Sequence, residues 1–518
     1  MTNKLARRIF YSLFLGGISV ARSSDLDTIG VTLLREIDVT LVGSGVKVAQ
    51  PEAAENVPDT AWQVNPAVSG QPTNLFTYIS SDGIASNYPN ALGIESGHAN
   101  GVAANFFGIS TGVAPGINHV DNYEANYFFL SKILTNVTIA AKIVNQSFIF
   151  TDDLSTQIAV NVEYDRYAAQ KNVLFISGVG NSGPPSAPST AYNGIGVGAF
   201  GGDSSVGPTP DNQRSKPDIT APAGATSFSA PLVAGGAAIL AQAALRGDGG
   251  VGTTNAAFDS RTLKTLLLNG AVKPSNWTHT SSAPLDPRYG AGVLNVFNSY
   301  KQLAAGKHLF IESTTTSEGG LHFPGNNSNN LVSLVGWDFN SIANNPNQDR
   351  ANHYYFSLPA STMKTFTLTA TLAWNRQVNQ TDINDLDLFL YDTSNSNLVA
   401  ASTSRVDNVE HIFNTNLPAG RYDLQVLKKG GEGTILNNET YALAFETFAL
   451  SLSISRTGTN VVLTWPIAPT GFTLQSSTNL NSLVSWMAVT NAPVMTTNQN
   501  NIVLGAATSA QFFRLVRP

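Results

Sequence analysis

Ser227 is the residue of this chain best suited to covalent chemistry. It lies in the segment Gly-Ala-Thr-Ser-Phe-Ser-Ala-Pro (224–231), where the Ala-, Gly- and Leu-rich helix pattern of residues 230–245 begins. A serine hydroxyl is a weak nucleophile at neutral pH, so it needs an adjacent base and a group that stabilises the substrate oxyanion. A helix N-terminus behind it adds a backbone N–H and a favourable dipole. By itself the segment predicts either a nucleophile or a helix cap.

The residues that would assist Ser227 precede it in the chain. His98 and His119 are the only histidines before it, which makes them the candidate bases. Asn181 lies in Ser-Gly-Val-Gly-Asn-Ser-Gly (177–183), directly after an apolar run, where a side-chain amide could donate to an oxyanion. Such a glycine-rich segment is also an ordinary turn, so Asn181 is informative only in its order with His98 and Ser227.

The order of these motifs resembles that of the subtilisin family of serine proteases. The segment around the candidate nucleophile is similar to the family pattern Gly-Thr-Ser-Met-Ala-x-Pro-His-Val-Ala-Gly, and it departs from that pattern at Ala225, Phe228 and Leu232. Residues 96–104 are similar to His-Gly-Thr-His-Val-Ala-Gly, and the landmark Thr-Gly-Val-Ala-Pro-Gly (111–116) follows them. The resemblance implies a subtilisin-like fold and peptide hydrolysis.

The resemblance also implies a role for each matching residue. His98 would act as general base towards Ser227 and then as general acid to the leaving amine. Residues 177–183 are similar to the family's Ala-Gly-Asn-x-Gly, which implies that Asn181 donates to the oxyanion. Gly178, beside this amide, would let the backbone approach the substrate closely.

One further segment resembles the strand with which the family binds the substrate backbone. Asn-Gln-Ser-Phe-Ile (145–149) is similar to the family's Asn-x-Ser-Leu-Gly, which implies a substrate contact for Ser147. Ile149 stands where the family has glycine. We therefore expect a bulkier pocket rim and a preference for small side chains at the cleavage position.

The acid that would orient His98 departs furthest from the family pattern. Subtilisins end their first strand with Val-x-Val-Ile-Asp, whereas the equivalent run here is Gly-Val-Lys-Val-Ala-Gln-Pro-Glu-Ala (45–53), so Glu52 takes the aspartate position. A glutamate can still accept from the imidazole and stabilise the imidazolium ion. We therefore predict a Glu-His-Ser triad. The weaker alternative acids are Asp38, Asp59 and Asp82.

Periodicity predicts an α/β domain followed by all-β domains. Apolar runs at 46–49, 140–145 and 173–178 predict buried parallel strands, and 153–171 predicts a crossover helix capped by Asp153. Past Gly306 the helix patterns stop and strand patterns begin. The predicted parts are a signal peptide (1–21), a subtilisin-like catalytic domain with a central parallel sheet (22–306), a β-sandwich (307–449) and a small fibronectin-like β domain (450–518).

The composition and the N-terminus predict an exported protein. Lys4, Arg7 and Arg8 precede the apolar run 9–21, as in a secretory signal peptide. The absence of cysteine excludes a disulfide framework and thiol catalysis. A net charge of -6 without a basic cluster argues against nucleic acid as a partner. We expect a secreted monomer that acts on polypeptides and is not bound to a membrane after signal cleavage.

The β-sandwich contains the candidate metal site. Asp385 and Asp387 are two residues apart on a predicted strand and therefore share a face, with Asn384 nearby, so they could bind a structural calcium ion. Two carboxylates do not define a site, and a hydrogen-bonded strand edge is an equal alternative. The chemistry of Ser227 requires no cofactor.

The sequence as a whole predicts a secreted serine endopeptidase that works through an acyl-enzyme. The alternative from another class is a catalytically inactive subtilisin-like scaffold that acts as an extracellular binding protein. A sedolisin arrangement, with a glutamate base and an aspartate in the oxyanion hole, fits less well because His98 and Asn181 are present.

Overall fold

The computed structural model describes residues 9–10, 23–56, 58–317, 319, 330–360, 365–378, 380–430, 435, 437–449, 451–466, 472–478, 486–496, 499–506 and 510–516. Apart from residues 9 and 10, the predicted signal peptide lies outside these ranges.

A mixed sheet built mainly of parallel strands forms the centre of the N-terminal half. The strands of this half are β1 (Ile9–Phe10), β2 (Lys47–Glu52), β3 (Ala61–Gln63), β4 (Phe76–Ser80), β5 (Gly83–Ala85), β6 (Ile94–Glu95), β7 (His119–Glu124), β8 (Ile143–Gln146), β9 (Ile149–Phe150), β10 (Leu174–Gly178), β11 (Ile195–Phe200) and β12 (Ile219–Pro222). The central sheet has the order β12-β11-β10-β8-β2-β7-β4-β5. All its neighbouring strands are parallel except β4 and β5 at one edge.

Helices cover both faces of this sheet, as parallel connections require. They are α1 (Ser23–Thr28), α2 (Val31–Ile37), α3 (Pro66–Ser69), α4 (Gly97–Phe107), α5 (Ala125–Phe128), α6 (Leu154–Lys171), α7 (Thr226–Arg246), α8 (Thr254–Ala257), α9 (Ser260–Asn269) and α10 (Val296–Ala304), with a short 3₁₀ helix at Thr73–Leu75 and a π-helical turn at Phe129–Ile133.

Alternation along the strands divides the core into two layers. Val48 on β2 packs in the cluster that contains α4 and α7, whereas the next residue, Ala49, packs in the cluster that contains Tyr164 of α6. Successive side chains of a strand point to opposite faces, so one strand serves both layers. Helix α6 begins directly after its predicted cap, Asp153, whose Oδ1 accepts from the Thr156 N–H at 3.0 Å.

Helix α7 carries the candidate nucleophile and runs through the core. In the described part of the chain it is the one helix long and apolar enough to cross a membrane, and 94% of that apolar window is buried inside the protein. Its burial makes it a core helix, which holds its N-terminus rigidly against the sheet.

The C-terminal half is all-β and its first part is a two-sheet sandwich. Its strands are β13 (Glu312–Ser317), β14 (Val335–Ile342), β15 (Gln348–Leu358), β16 (Phe366–Trp374), β17 (Leu386–Asp392), β18 (Asn397–Ser402), β19 (Val409–Leu417), β20 (Gly420–Lys428) and β21 (Glu439–Phe448). They form an antiparallel five-stranded sheet, β13-β15-β20-β17-β18, and an antiparallel four-stranded sheet, β14-β21-β16-β19.

A second pair of small sheets follows. Its strands are β22 (Ser453–Thr457), β23 (Asn460–Pro466), β24 (Thr473–Ser477), β25 (Met487–Ala488), β26 (Val494–Thr496), β27 (Gln499–Gly505) and β28 (Phe512–Val516). They pair in the orders β22-β23-β27-β26 and β25-β24-β28 around Leu463, Trp465, Leu474 and Ile502. The predicted fold class, a parallel α/β domain followed by all-β units, is confirmed, while the exact domain limits stay predictions.

The sandwich packs directly on the α/β part. Trp337 of β14 is fully buried in the same cluster as the residues of α7 and α9, and its indole Nε1 donates to the Leu303 carbonyl oxygen at 3.0 Å. Asn269 at the end of α9 accepts hydroxyl hydrogen bonds from Thr369 and Thr371 of β16 at 2.9 and 3.0 Å. The two halves therefore share one core.

Candidate active site

Ser227 is the second residue of α7 and follows the edge strand β12. Asp218, the residue before β12, fixes the start of this strand. Its buried carboxylate accepts from the Gly196 N–H at 2.6 Å and pairs with Lys216 and Lys264. This anchored strand leads into the short loop 223–225 and then into the rigid helix. The polypeptide on both sides of Ser227 is therefore held by the core.

His98 and Glu52 meet although they are 46 residues apart. Glu52 ends β2 and is 1% exposed, and His98 is the second residue of α4, whose first turn is capped by Ser96 through the Ala99 N–H at 2.9 Å. The Glu52 Oε2 to His98 Nδ1 distance is 3.0 Å. The structure thus pairs the predicted acid with the predicted base.

Gln50 holds the second carboxylate oxygen of Glu52. Its amide Nε2 donates to Glu52 Oε1 at 2.8 Å and to the Ala99 carbonyl oxygen at 3.0 Å. Gln50 was not among the site residues predicted from the sequence. The available signal was its position two residues before Glu52 on one strand, which places both side chains on the same face.

Two carboxylates act on the imidazole of His98. Burial by itself lowers the pKa of His98, but the hydrogen bond and the charge of Glu52, together with the charge of Glu55, raise that pKa above its ordinary value of 6.5. Glu55 also accepts from the His98 backbone N–H at 3.3 Å. The site therefore favours the imidazolium ion that a general base must become.

The hydroxyl of Ser227 lies against the segment that follows β8. Its Oγ is 3.5 Å from the Ser147 carbonyl oxygen, and the Ser147 hydroxyl donates to the Ser227 carbonyl oxygen at 2.8 Å. Among the described residues, His98 is not hydrogen-bonded to this hydroxyl. His98 is nevertheless a neighbour, because its ring lies 5.7 Å, centroid to centroid, from that of Phe228.

Asn181 contacts Thr226, the residue that precedes Ser227. Its Oδ1 accepts from both the backbone N–H and the hydroxyl of Thr226, each at 2.9 Å, so the carboxamide has a fixed orientation. Thr226 was not predicted as a site residue, although it directly precedes Ser227. Gly178 packs against the same residue: a Cβ there would lie 3.0 Å from Thr226 Oγ1, so a larger residue at 178 would push on the nucleophile segment.

Other candidate residues of the sequence analysis lie in other ion pairs. His119 Nε2 is 3.1 Å from Asp121 Oδ1, and Asp38 Oδ2 is 2.7 Å from Arg246 Nη1. Within the described ranges, neither His119 nor Asp38 is hydrogen-bonded to Ser227, and Glu52 and His98 are the candidate acid and base that contact each other.

The strand edge next to Ser147 can hold an extended chain. Strand β9 pairs antiparallel with β1, with Phe150 opposite Ile9 and Ile149 opposite Phe10. In the described part of the chain, these two strands form a sheet of their own. The backbone edge beside Ser227 thus pairs with a strand through its main chain.

Asp385 and Asp387 lie together as the sequence predicts, and a lysine ammonium group lies between them. Lys429 Nζ is 3.1 Å from Asp385 Oδ2 and 3.0 Å from Asp387 Oδ2. Within the described ranges, no three His, Asp or Glu side chains are arranged to hold a metal ion. The residues at this position therefore suit a partly exposed ion pair in which only Asp387 is buried, and calcium binding stays a prediction.

Comparisons with known proteins identify a family to which part of this chain is similar. Residues 83–292 match the model of the subtilase family. The match contains His98, Asn181 and Ser227, whereas Glu52 precedes it. A search of the curated proteins found no match.

Among solved structures, several proteases are similar to this chain. The prenylagaramide maturation protease PagA is 21% identical, with 53% of this chain and 98% of that chain covered at a TM-score of 0.38. The patellamide maturation protease PatA is 22% identical over 51% of this chain and 98% of that chain, with a TM-score of 0.35. Tripeptidyl peptidase 2 is 12% identical over 74% of this chain and 47% of that chain, with a TM-score of 0.33.

The family match and the observed fold agree. The matched residues include most of the parallel sheet, the helix that carries His98 and the helix that carries Ser227. Residues 83–292 therefore match the subtilase family, and they lie in an N-terminal half that has a subtilisin-like α/β fold.

Proposed function

We propose that this chain is a serine endopeptidase that hydrolyses peptide bonds through a Glu52-His98-Ser227 triad and an acyl-enzyme. The observation that carries the proposal is the 3.0 Å contact between the buried Glu52 carboxylate and His98, whose ring lies 5.7 Å from that of Phe228, the residue after Ser227. A pair of this kind holds the imidazole in one tautomer, with Nδ1–H towards the carboxylate and Nε2 towards the nucleophile.

In the proposed reaction, the hydroxyl of Ser227 turns from Ser147 towards His98 when the substrate binds, as apo catalytic hydrogen bonds often form fully only in the complex. His98 takes the proton while Ser227 Oγ attacks the carbonyl carbon. The carbonyl oxygen then carries the negative charge, which the Asn181 side-chain amide and the Ser227 backbone N–H stabilise. His98 returns the proton to the leaving amine, and water hydrolyses the ester by the same steps.

The substrate would bind as an extended chain. An incoming peptide would pair with β9 along the edge that β1 occupies before signal cleavage, and main-chain hydrogen bonds would supply binding that is independent of side chains. This mode of binding fits an endopeptidase, because it does not require a chain terminus.

A fluorophosphonate probe tests the proposal directly. We expect the full chain to be labelled on Ser227, and Ser227→Ala to abolish labelling. Ser229→Ala is the matched control, because Ser229 is a neighbouring serine of the same helix whose hydroxyl donates to the Ala221 carbonyl oxygen at 2.9 Å. Folded protein that resists the probe would favour the inactive binding scaffold, and peptidase activity retained in His98→Ala would favour a sedolisin-like base.

We also propose that the protein is secreted after cleavage near Ala21. Lys4, Arg7 and Arg8 before the apolar run 9–21 support export. N-terminal sequencing of the protein recovered from the medium of an expressing culture is expected to begin just after residue 21. Recovery of the uncleaved chain from the membrane fraction would contradict this proposal.

A further inference from the structure

The segment beside Ser227 contains a side chain that limits the substrate. Ser147 binds the nucleophile residue through its hydroxyl and its carbonyl oxygen, so the residues that follow it line the space next to the reacting atom. Ile149 is the second residue after Ser147, and it is partly exposed.

The direction of the Ile149 side chain follows from its neighbours. Phe150 points into the core, where its ring lies 5.1 Å from that of Phe129, and Phe148 is buried beside it with a ring separation of 6.2 Å. Because side chains alternate along an extended segment, Ile149 must lie on the opposite face from these two rings. That is the face on which Ser147 meets Ser227.

On that face, Ile149 reaches the segment that carries the oxyanion amide. A Cβ built on Gly180 would lie 3.8 Å from Ile149 Cδ1 and 2.7 Å from Ser205 Oγ. Gly180 directly precedes Asn181, and its φ of +104° is a conformation that suits glycine. The isoleucine side chain therefore crosses from the segment after β8 to the segment after β10.

The side chain of the cleaved residue must enter between these two segments. In the tetrahedral intermediate of the proposed reaction, its carbonyl carbon is bound to Ser227 Oγ, its oxygen points to Asn181 and the leaving amine faces His98. The remaining direction lies between the extensions of β8 and β10, which are adjacent parallel strands paired at Gln146 and Ser177.

We propose that Ile149 closes this space to large side chains, so that the enzyme cleaves after Gly, Ala or Ser and rejects aromatic and long aliphatic residues. The inference rests on the proposed endopeptidase function. It assigns Ile149 as a residue that determines specificity, acting by occupied volume and without a role in the chemistry.

The test compares two peptide series that differ only in the residue before the cleaved bond, alanine or phenylalanine. In the wild-type chain, kcat/KM is expected to be at least about tenfold higher for alanine. Ile149→Ala is expected to raise the phenylalanine-to-alanine ratio of kcat/KM about 10- to 100-fold, the range that a few carbon atoms contribute in an apolar pocket. Ile149→Val, which removes one methyl group, is expected to give a smaller change in the same direction.

Ile84→Ala is the matched control, because Ile84 is a 73% exposed isoleucine on the edge strand β5. The phenylalanine-to-alanine ratio of kcat/KM in Ile84→Ala is expected to equal that of the wild-type chain. Fluorophosphonate titration of each variant counts the active sites and separates two kinds of failure. A labelled Ile149→Ala enzyme with an unchanged ratio, or a wild-type enzyme that prefers phenylalanine, would overturn the specificity alone. A wild-type chain that takes no label would overturn the endopeptidase and this inference with it.

Discussion

At the residue scale, Glu52 determines how the carboxylate of the proposed triad reaches His98 and how its charge acts on the imidazole. A glutamate reaches one methylene further than the aspartate of the family pattern, and here that reach closes a 3.0 Å contact from the last residue of β2. Gln50 holds the other carboxylate oxygen, so the extra rotatable bond is restrained. A glutamate that is held by a second hydrogen bond, from Gln50, can thus take the position of the family's aspartate.

Replacing the charge of Glu52 should change the pH profile of the enzyme. In the proposed mechanism the neutral imidazole is the base, so kcat/KM should rise as pH passes through the pKa of His98, which Glu52 and Glu55 raise above 6.5 despite burial. In Glu52→Gln we expect this acid limb to move to lower pH and the plateau to fall about 10³–10⁴-fold. The measurement is kcat/KM against pH.

Glu55→Gln is the control for a charge that does not bond the ring. It should move the acid limb in the same direction by a smaller amount, since Glu55 acts on His98 through its charge. An acid limb at the same pH in Glu52→Gln and in the wild-type chain would contradict the assigned pair.

Asn181 is expected to act on the transition state alone. Asn181→Ala should lower kcat about 10²–10³-fold with little change in KM, the loss known for a subtilisin oxyanion-hole amide. Thr226→Val should give a smaller loss, because the Thr226 backbone N–H still orients the Asn181 carboxamide at 2.9 Å. Retention of more than a tenth of kcat in Asn181→Ala would contradict this role.

At the scale of elements, β17 carries a buried carboxyl group that favours its proton. Burial, with the charge of Asp385, raises the pKa of Asp387 from 3.8 to about 7, although the Lys429 ammonium group lowers it and Asp349 raises it further. Between about pH 4 and 7 the folded chain therefore holds a proton that the unfolded chain has lost. The free energy of unfolding should decrease as pH rises through this range.

Asp387→Asn should remove this pH dependence and raise the Tm at pH 8 relative to the wild-type chain, as thermal unfolding at pH 5 and pH 8 would measure. An equal or lower Tm of the variant at pH 8 would contradict the assignment. Added calcium provides the test of the predicted metal site. If calcium raises the Tm of the wild-type chain but not of Asp387→Asn, the ion binds here in place of the ammonium group.

At the scale of the whole molecule, the β-sandwich and the α/β domain share one core, so we expect the sandwich to stabilise the α/β domain. Trp337, a sandwich residue, is buried among helices of the α/β domain. Polar contacts join the halves elsewhere: Arg376 pairs with Asp165 at 2.5 Å, and the Ser215 N–H donates to Asp407 at 2.7 Å. Ser215 lies in the segment that leads to Ser227, so the sandwich supports the site itself.

Two tryptophan variants should separate this interface from the last domain. Trp337→Ala is expected to destabilise the chain by about 3–5 kcal/mol and to lower the temperature at which peptidase activity is lost. Trp465→Ala removes a 5% exposed tryptophan from the small core of β23, β24 and β27, and it should leave that temperature unchanged. Equal effects of both variants on thermal inactivation would contradict a specific role for the sandwich.

Local signals were enough to predict much of this protein from its sequence. The α/β class, the crossover helix capped by Asp153 and the strands of the sandwich followed from periodicity, because side-chain alternation and capping depend on neighbours in the chain. The segments around His98, Asn181 and Ser227 were recognisable for a related reason: each is a short turn or helix start whose shape demands particular small residues.

The tertiary structure decided everything that depends on residues far apart. That Glu52 reaches His98, that Gln50 supports it, and that Ile149 crosses to Gly180 all follow from the order and register of β2, β8 and β10. Trp337 of the sandwich likewise packs against helices of the α/β domain, a contact that local sequence patterns do not predict. Sequence patterns report the conformation of one segment, whereas a distance between two side chains depends on how the entire core packs.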